Sequence, residues 1–473
     1  MAERGRFKRR LLRVLLVVGV VAAVWLFREL RQPWPKVQGE QVSPDESAYT
    51  ARIVASAVAL IDGARQKEGV YTRDVHSKAH GCVKATVKIP AFDERLRVGL
   101  FAEPGAHEAW IRFSSGDTRV QSDLVRDARG FALKVMGVPG DKLLAAEKHE
   151  TTQDFVMINS PQFFIRTIPD YAEFMAAMAR GDRYGWFFGG RTWKPWRWHV
   201  RELYLAAKTL QTTPGSLLQT QYHSLSAYRF GPDRYVKYSA RPCETKRPPR
   251  RNKADDMLRE ALKHELSKGE GCFDLLVQLQ VPGTNMPVED ATVQWSEKDS
   301  PFVPVARVTI PRQDFDTSEQ NTFCENLSFT PWHALPAHEP VGVMNRVRKA
   351  LYQEISRYRH AKNQAPRAEP RGWCLDLTGA TCPGEAPPST TAGRLPSPGT
   401  APASRVAPPS STGPRPSSAP AQPAGPVVPS LETAPPSATP AEAPPPEAAA
   451  PPDTSEEDSE ETAPPPPPGS ARG

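Results

Sequence analysis

Within "RDVHSKAHGC", residues 73–82, an arginine, two histidines and a cysteine sit just ahead of a strand-like run. Three chemistries fit such a cluster: a metal site, a proton-transferring histidine, or a charged turn. His76 and His80 have H-x-x-x-H spacing, but the segment lacks the glutamate of H-E-x-x-H and borders a strand instead of lying mid-helix. Imidazole, with a pKa near neutrality, can both accept a proton and return it. A single histidine is more often a satisfied surface or core residue, so this segment alone decides nothing.

A second segment, "VRKALYQEISRYRHAK" (residues 347–362), adds a different chemistry. Arg348, Tyr352 and Arg359 fall at i, i+4 and i+11, within about 40° of one another on a helix. Val347, Leu351 and Ile355 form an adjacent apolar stripe. A guanidinium one turn from a phenol favours the phenolate. A phenolate is a hard anionic ligand able to hold ferric haem iron. R-x-x-x-Y alone is common, and surface i, i+4 pairs account for most of its occurrences.

These residues must be positioned by a scaffold of mixed type. "CVKATVKI", "AWIRFSSG", "GFALKVMGV" and "DFVMIN" are short runs rich in Val, Ile and Phe, bounded by Gly, Pro, Asp or Asn. "YRFGPDRYVKYSARP" reads as two strands around a turn, and "GCFDLLVQLQVPG" and "FVPVARVTIPR" continue the pattern. Many closely spaced antiparallel strands predict a barrel or sandwich, not a βαβ fold. Helical patterns lie at "DESAYTARIVASAVALIDGAR", "IPDYAEFMAAMARG", "DDMLREALKHELSKG" and "EPVGVMNRVRKALYQEISRYRHAK". The fold class is therefore α+β. There is no internal repeat, Gly-rich phosphate loop or G-x-S-x-G elbow.

Composition divides the 473 residues into three parts: a membrane-directed leader and linker (1–40), a core (41–364) and a tail (365–473). The tail carries 29 of the 51 prolines and too few apolar residues to offset ordering entropy, which predicts disorder. In the leader, Arg4, Arg6, Lys8, Arg9, Arg10 and Arg13 precede an uninterrupted apolar run from Val14 to Phe27. That run suits a signal peptide, yet bulky Trp25, Leu26 and Phe27 occupy the place of a small-residue cleavage site. With Leu11, Leu12 and Leu30 included and the arginines snorkelling, it predicts an uncleaved inner-membrane anchor with the core exported to the periplasmic or outer side. The net charge of +7 has no basic face interleaved with aromatics, so nucleic acid is not an expected partner. None of the six cysteines has metal-ligand spacing. Cys374 and Cys382 are the expected disulfide, and the other four read as buried thiols.

Taken in order, the segments resemble the haem catalase family. "RDVHSKAHG" resembles the distal histidine segment, and "IRFSSG" and "RDARGFALKV" the next two strands. "INSPQFFIRTIPDY" resembles the distal asparagine and phenylalanine segment, and "RKALYQEISRYR" the proximal tyrosine helix. The resemblance runs with gaps over most of residues 50–364. It is nearest to small, divergent catalase-like haem proteins, since the flavodoxin-like or helical extensions of full-length catalases are lacking. It implies an antiparallel β-barrel core with surrounding helices, a haem cofactor, and possible homo-oligomers.

The resemblance also implies roles. Tyr352 would be the iron ligand and Arg348 its partner. His76 would be the distal acid and base, oriented by Ser114. Arg73, Arg112 and Arg359 would neutralise the haem propionates, since a buried carboxylate needs a partner. Val75, Phe163, Phe164 and Tyr171 would line the haem, Tyr171 standing where the family has phenylalanine. One position departs: with "SPQFF" held fixed, the distal asparagine falls on Ile158, one residue before Asn159. A one-residue shift in a strand turns a side chain to the opposite face. Either a bulge brings Asn159 into the pocket, which is the expectation adopted, or the amide is missing and the pocket is drier. The implied function is oxidoreduction of hydrogen peroxide or an organic hydroperoxide. Hydroperoxide rearrangement, as in allene-oxide-forming relatives, and non-catalytic haem binding are the alternatives.

Overall fold

The computed structural model describes residues 2–31, 39–182, 185–190, 192–210, 213–246 and 253–375. Its helices are α1 (Ala2–Arg31), α2 (Glu46–Glu68), α3 (Ile168–Ala179), α4 (Gly185–Phe188), α5 (Val200–Thr209), α6 (Met257–Lys268), α7 (Ser318–Asn326) and α8 (Val343–Asn363). Its strands are β1 (Ala79–Ile89), β2 (Gly105–Ser115), β3 (Arg129–Val135), β4 (Gln153–Ile158), β5 (Tyr222–His223), β6 (Tyr228–Arg229), β7 (Tyr235–Pro242), β8 (Gly271–Leu279) and β9 (Val303–Ile310). They pair antiparallel in the order β5-β4-β3-β2-β1-β9-β8-β7-β6, and a β5–β7 pairing closes eight of them into a barrel. Each predicted strand run finds a place in it.

Period-2 alternation sorts the barrel wall into two faces. Val83, Ala85 and Val87 of β1, Ile111 and Phe113 of β2, Phe131 and Leu133 of β3, and Phe155 and Met157 of β4 point inward and fill the core. The intervening residues, among them Arg112, Ser114, Gly130, Ala132, Val156 and Ile158, therefore face outward. Outside this wall, Ile53, Ala57 and Ile61 of α2, Ala172 and Met175 of α3, and Val347, Leu351 and Ile355 of α8 form a second apolar cluster. The stripe read on α8 is thus the surface that seats this helix, and its neighbouring face is left to look toward the barrel.

The apolar part of α1, Leu11–Leu30, is 20 residues long with a mean hydropathy of 2.2 and no buried share, long and apolar enough to cross a membrane. Two expectations are corrected. Residues 365–375, assigned to the tail, pack on the barrel: Glu369 pairs with Lys134 of β3, and the Trp373 indole donates to the Ala109 carbonyl at 3.1 Å. Cys243 and Cys272, read as buried thiols, form a disulfide with a Cα separation of 5.5 Å. The β7–β8 register, which pairs Pro242 with Phe273, puts them opposite each other. Cys374 is disulfide-bonded. Its expected partner Cys382, and the tail from residue 376 on, lie outside the described residues.

Candidate active site

The segment before β1 turns sharply at His76, whose φ of 59° lies in the left-handed region. A non-glycine residue stays there only when its surroundings hold it. Here Gly116 O accepts from the His76 amide at 3.3 Å, and Arg112 donates to the His76 carbonyl at 2.9 Å. The turn lays the imidazole on the outer face of β2 and β3, with Nδ1 3.0 Å from Ser114 Oγ. Ser114 pairs with Gly130, and Gly130 with Ile158, so the three form one outward row across the sheet. A Cβ on Gly130 would fall 2.5 Å from Ser114 Oγ and 2.6 Å from His76 Nδ1. Only glycine leaves room for this imidazole. Burial, reinforced by Arg112, Arg348 and Arg73, pushes His76 down to about 3, so the ring is neutral at neutral pH.

Facing this row is α8. Arg348 donates to the Tyr352 hydroxyl at 3.2 Å and to Asn345 Oδ1 at 3.1 Å. Asn345 is fully buried, and its amide nitrogen is anchored on the Ala227 and Val341 carbonyls. Burial opposes the charge on Arg348, but Tyr352 and Tyr228 beside it outweigh that and raise its pKa. The guanidinium is therefore a fixed positive charge at the phenol oxygen.

Between the two lies a cleft. Arg73, Val75, His76, Arg112, Ser114, Tyr352 and Arg359 all line it, as do Ala132 and Val156 from the sheet. Seven of the expected site residues thus come together, and Arg348 joins through Tyr352. Phe163, Phe164 and Tyr171, with ring centroids 4.9 and 5.7 Å apart, are not among the residues lining the cleft but pack on the helical cluster against which Tyr352 also packs. Burial, then Asp74 and Tyr352, pushes the Tyr171 phenol up. His80, the other half of H-x-x-x-H, turns away to Ser115 Oγ at 2.9 Å, and no group of three or more metal-binding side chains occurs among the described residues.

At one end of the cleft three arginines converge on one carboxylate. Glu325 Oε1 lies 2.6 Å from Arg73 and 3.7 Å from Arg359, and Oε2 lies 3.8 Å from Arg112. Three positive charges meet one negative, leaving a surplus of two. Arg112 Nε and Arg359 Nε are buried with no hydrogen-bond partner.

The Asn159 expectation is corrected. β3 and β4 pair without a register shift from Gln153 to Ile158, so the bulge that would turn Asn159 into the cleft does not form. Asn159 Oδ1 instead accepts from the Arg129 amide at 2.7 Å. Ile158 therefore holds the place in the row, and His223 of β5 pairs with it on the far side. Gly130, Glu325 and Asn345 were not singled out from sequence. Gly130 lay inside "RDARGFALKV", but its reason is a cross-strand contact. Glu325 carried no local pattern.

The catalase family model matches residues 46–366. The chain belongs to the catalase family. Among solved structures, it is similar to a fungal catalase at 19% identity and a TM-score of 0.50, covering 69% of this chain and 66% of that one. It is also similar to catalase A from Saccharomyces cerevisiae at 18% identity and a TM-score of 0.50, covering 69% and 68%. This catalase-family chain thus spans just under two thirds of the length of the fungal enzyme. At these identities the likeness is one of fold. No match is found among curated proteins.

Proposed function

We propose that this chain is a haem-dependent enzyme that consumes a hydroperoxide, with Tyr352 as iron ligand and His76 as acid and base. The observation carrying the reading is one cleft with a neutral imidazole on one wall and an arginine-paired tyrosine on the other. The residues fit the cofactor. A surplus of two positive charges with two unpartnered Nε groups matches the two carboxylates that a haem brings.

When bound, a haem supplies a redox-active iron with a position open to peroxide. The chain supplies the rest. Tyr352 would hold the metal through its phenol oxygen, with the Arg348 guanidinium hydrogen-bonded to that oxygen. Arg73, Arg112 and Arg359 would take the propionates. In the tautomer whose Nδ1–H donates to Ser114 Oγ, Nε2 carries the free lone pair and is the nitrogen that would accept the proton of the incoming hydroperoxide and return it to the departing oxygen. The strained His76 backbone, held by Arg112 and Gly116, fixes where that proton goes.

Ile158 refines the substrate. An isoleucine in the row next to Gly130 offers no donor to a leaving hydroxide. This favours reduction or rearrangement of an organic hydroperoxide over disproportionation of two molecules of hydrogen peroxide. The leader and α1 support a membrane-anchored enzyme with an exported core. The purified full chain, loaded with haem, is expected to show a Soret band and to consume cumene hydroperoxide faster than it evolves oxygen from hydrogen peroxide. A colourless protein overturns the haem reading. Fast oxygen evolution overturns the substrate refinement.

A further inference from the structure

Two thiols outside the cleft are used by none of this chemistry. Cys82 of β1 and Cys324 of α7 are free, buried, and members of one apolar cluster with Trp110 and Phe323. Two contacts bring their segments together. Gln320, one turn before Cys324, donates its side-chain amide to the Cys82 carbonyl at 2.7 Å. Phe323 lies against Trp110 with ring centroids 4.8 Å apart. Each thiol shifts the titration of the other. Cys82 pairs with Arg112 across the β1–β2 ladder, and Arg73 donates to the Cys324 carbonyl.

We propose that Cys82 and Cys324 form a dithiol site that a hydroperoxide oxidises to a disulfide, linking β1 to α7. The two cysteines are not equivalent. Cys324 borders an open cleft lined by Ser77, Ala79, Asn321 and Glu325, whereas Cys82 lies behind it in the strand. Burial works against a Cys324 thiolate, but the hydrogen bond from Cys82 and the charges of Arg112 and Arg73 outweigh it and lower its pKa. Burial and the Cys324 partner push Cys82 up. Cys324 is therefore the attacking sulfur and Cys82 the resolving one.

The Cys324 thiolate attacks the terminal oxygen of the hydroperoxide and breaks the O–O bond. This gives a Cys324 sulfenic acid and an alkoxide or hydroxide, which leaves as alcohol or water after taking a proton. The Cys82 sulfur, losing its proton, then attacks the Cys324 sulfur and expels hydroxide, which that proton converts to water. One hydroperoxide is reduced by two electrons and two thiols are oxidised. Since α7 ends at Asn326, directly after Glu325, the cross-link is coupled through one helical turn to the arginine cluster.

In the test, the full chain is first confirmed as reduced at both positions by alkylation. Hydroperoxide is then added until a free-peroxide assay shows it persisting, and the chain is denatured, alkylated and peptide-mapped. Two thiols are expected to be lost, with residues 82 and 324 recovered in one disulfide-linked peptide. In Cys82→Ser, dimedone is expected to label Cys324; in Cys324→Ser, Cys82 is expected to stay alkylable. A wild-type pair that remains alkylable while peroxide persists overturns the proposal, and dimedone labelling of Cys82 in Cys324→Ser overturns the assignment of the attacking sulfur. The oxidant class is that of the proposed function, but this readout needs no haem, so failure here leaves a Soret band untouched and a missing Soret band leaves the peptide map untouched.

Discussion

The Cβ that Gly130 lacks would lie 2.6 Å from His76 Nδ1, inside the contact distance of any real carbon. The imidazole occupies space on the outer sheet face that a side chain at position 130 would fill. Gly130→Ala is accordingly expected to dislodge the ring from Ser114, costing about 1–3 kcal/mol as an overpacked site. Hydroperoxide turnover should fall while haem binding through α8 survives. Thermal denaturation and a Soret spectrum, read beside the turnover assay, check this; unchanged turnover would show that the close contact has no catalytic consequence.

Replacing the imidazole gives the sharper contrast. His76→Ala is expected to retain the haem spectrum and lose about 10²–10⁴-fold in hydroperoxide turnover, the usual range for a general acid–base group. Tyr352→Phe should do the reverse in the spectrum, losing haem or shifting the Soret band. If both variants behaved alike, the division of labour between the two walls would be wrong.

Ile158→Asn restores an amide to the row that runs through Ser114 and Gly130. An added donor near a developing negative charge is expected to raise oxygen evolution from hydrogen peroxide, by up to about 10²-fold. An oxygen electrode measures it directly. A lower rate with intact haem would mean that the apolar side chain is itself required.

A pH dependence of stability follows from the buried cluster of Lys134, Asp154, His333, Glu147 and Glu369. Burial opposes the charge on His333, but Glu369 and Asp154 outweigh it and raise its pKa to about 10. The group binds its proton more tightly folded than unfolded. Its contribution is complete below the unfolded value of about 6.5 and is lost as pH rises through 10. Glu147, held down at about 2 by His333 and Arg367 against the effect of burial, contributes above about 4.5 and loses that on acidification. Melting temperature should therefore fall between pH 6.5 and 10. Glu369→Gln should flatten that decline, whereas an unaltered slope would assign it to other groups.

Seven of the expected residues line one cleft because they sit in short segments that resemble the catalase family's. Helical spacing put Arg348 and Tyr352 on one face, but it was the family resemblance of their segments that singled out this pair and His76. The face of Ile158 was also readable from strand parity. The expectation of a bulge failed because the β3–β4 ladder runs unbroken, a property of the partner strand and not of the segment itself. Glu325, the Cys243–Cys272 link and the Cys82–Cys324 pair are encounters between residues distant in the chain. Nothing within a window of ten residues announces them. The end of the core at 364 was misjudged for a related reason: a Pro-containing stretch with few apolar residues is held by Glu369 and Trp373 reaching back to β3 and β2.

That clasp sets a limit on how the chain can be shortened. Lys134 stands two residues beyond Ala132, which borders the cleft, on the same outward edge of β3. Cutting before position 369 would remove one of the two carboxylates that hold a buried lysine ammonium, leaving Asp154 alone beside the cleft wall. Crystallographers and engineers who trim the proline-rich segment should leave everything through Leu375 in place, because the outer side of the barrel wall is fastened by the residues that follow α8.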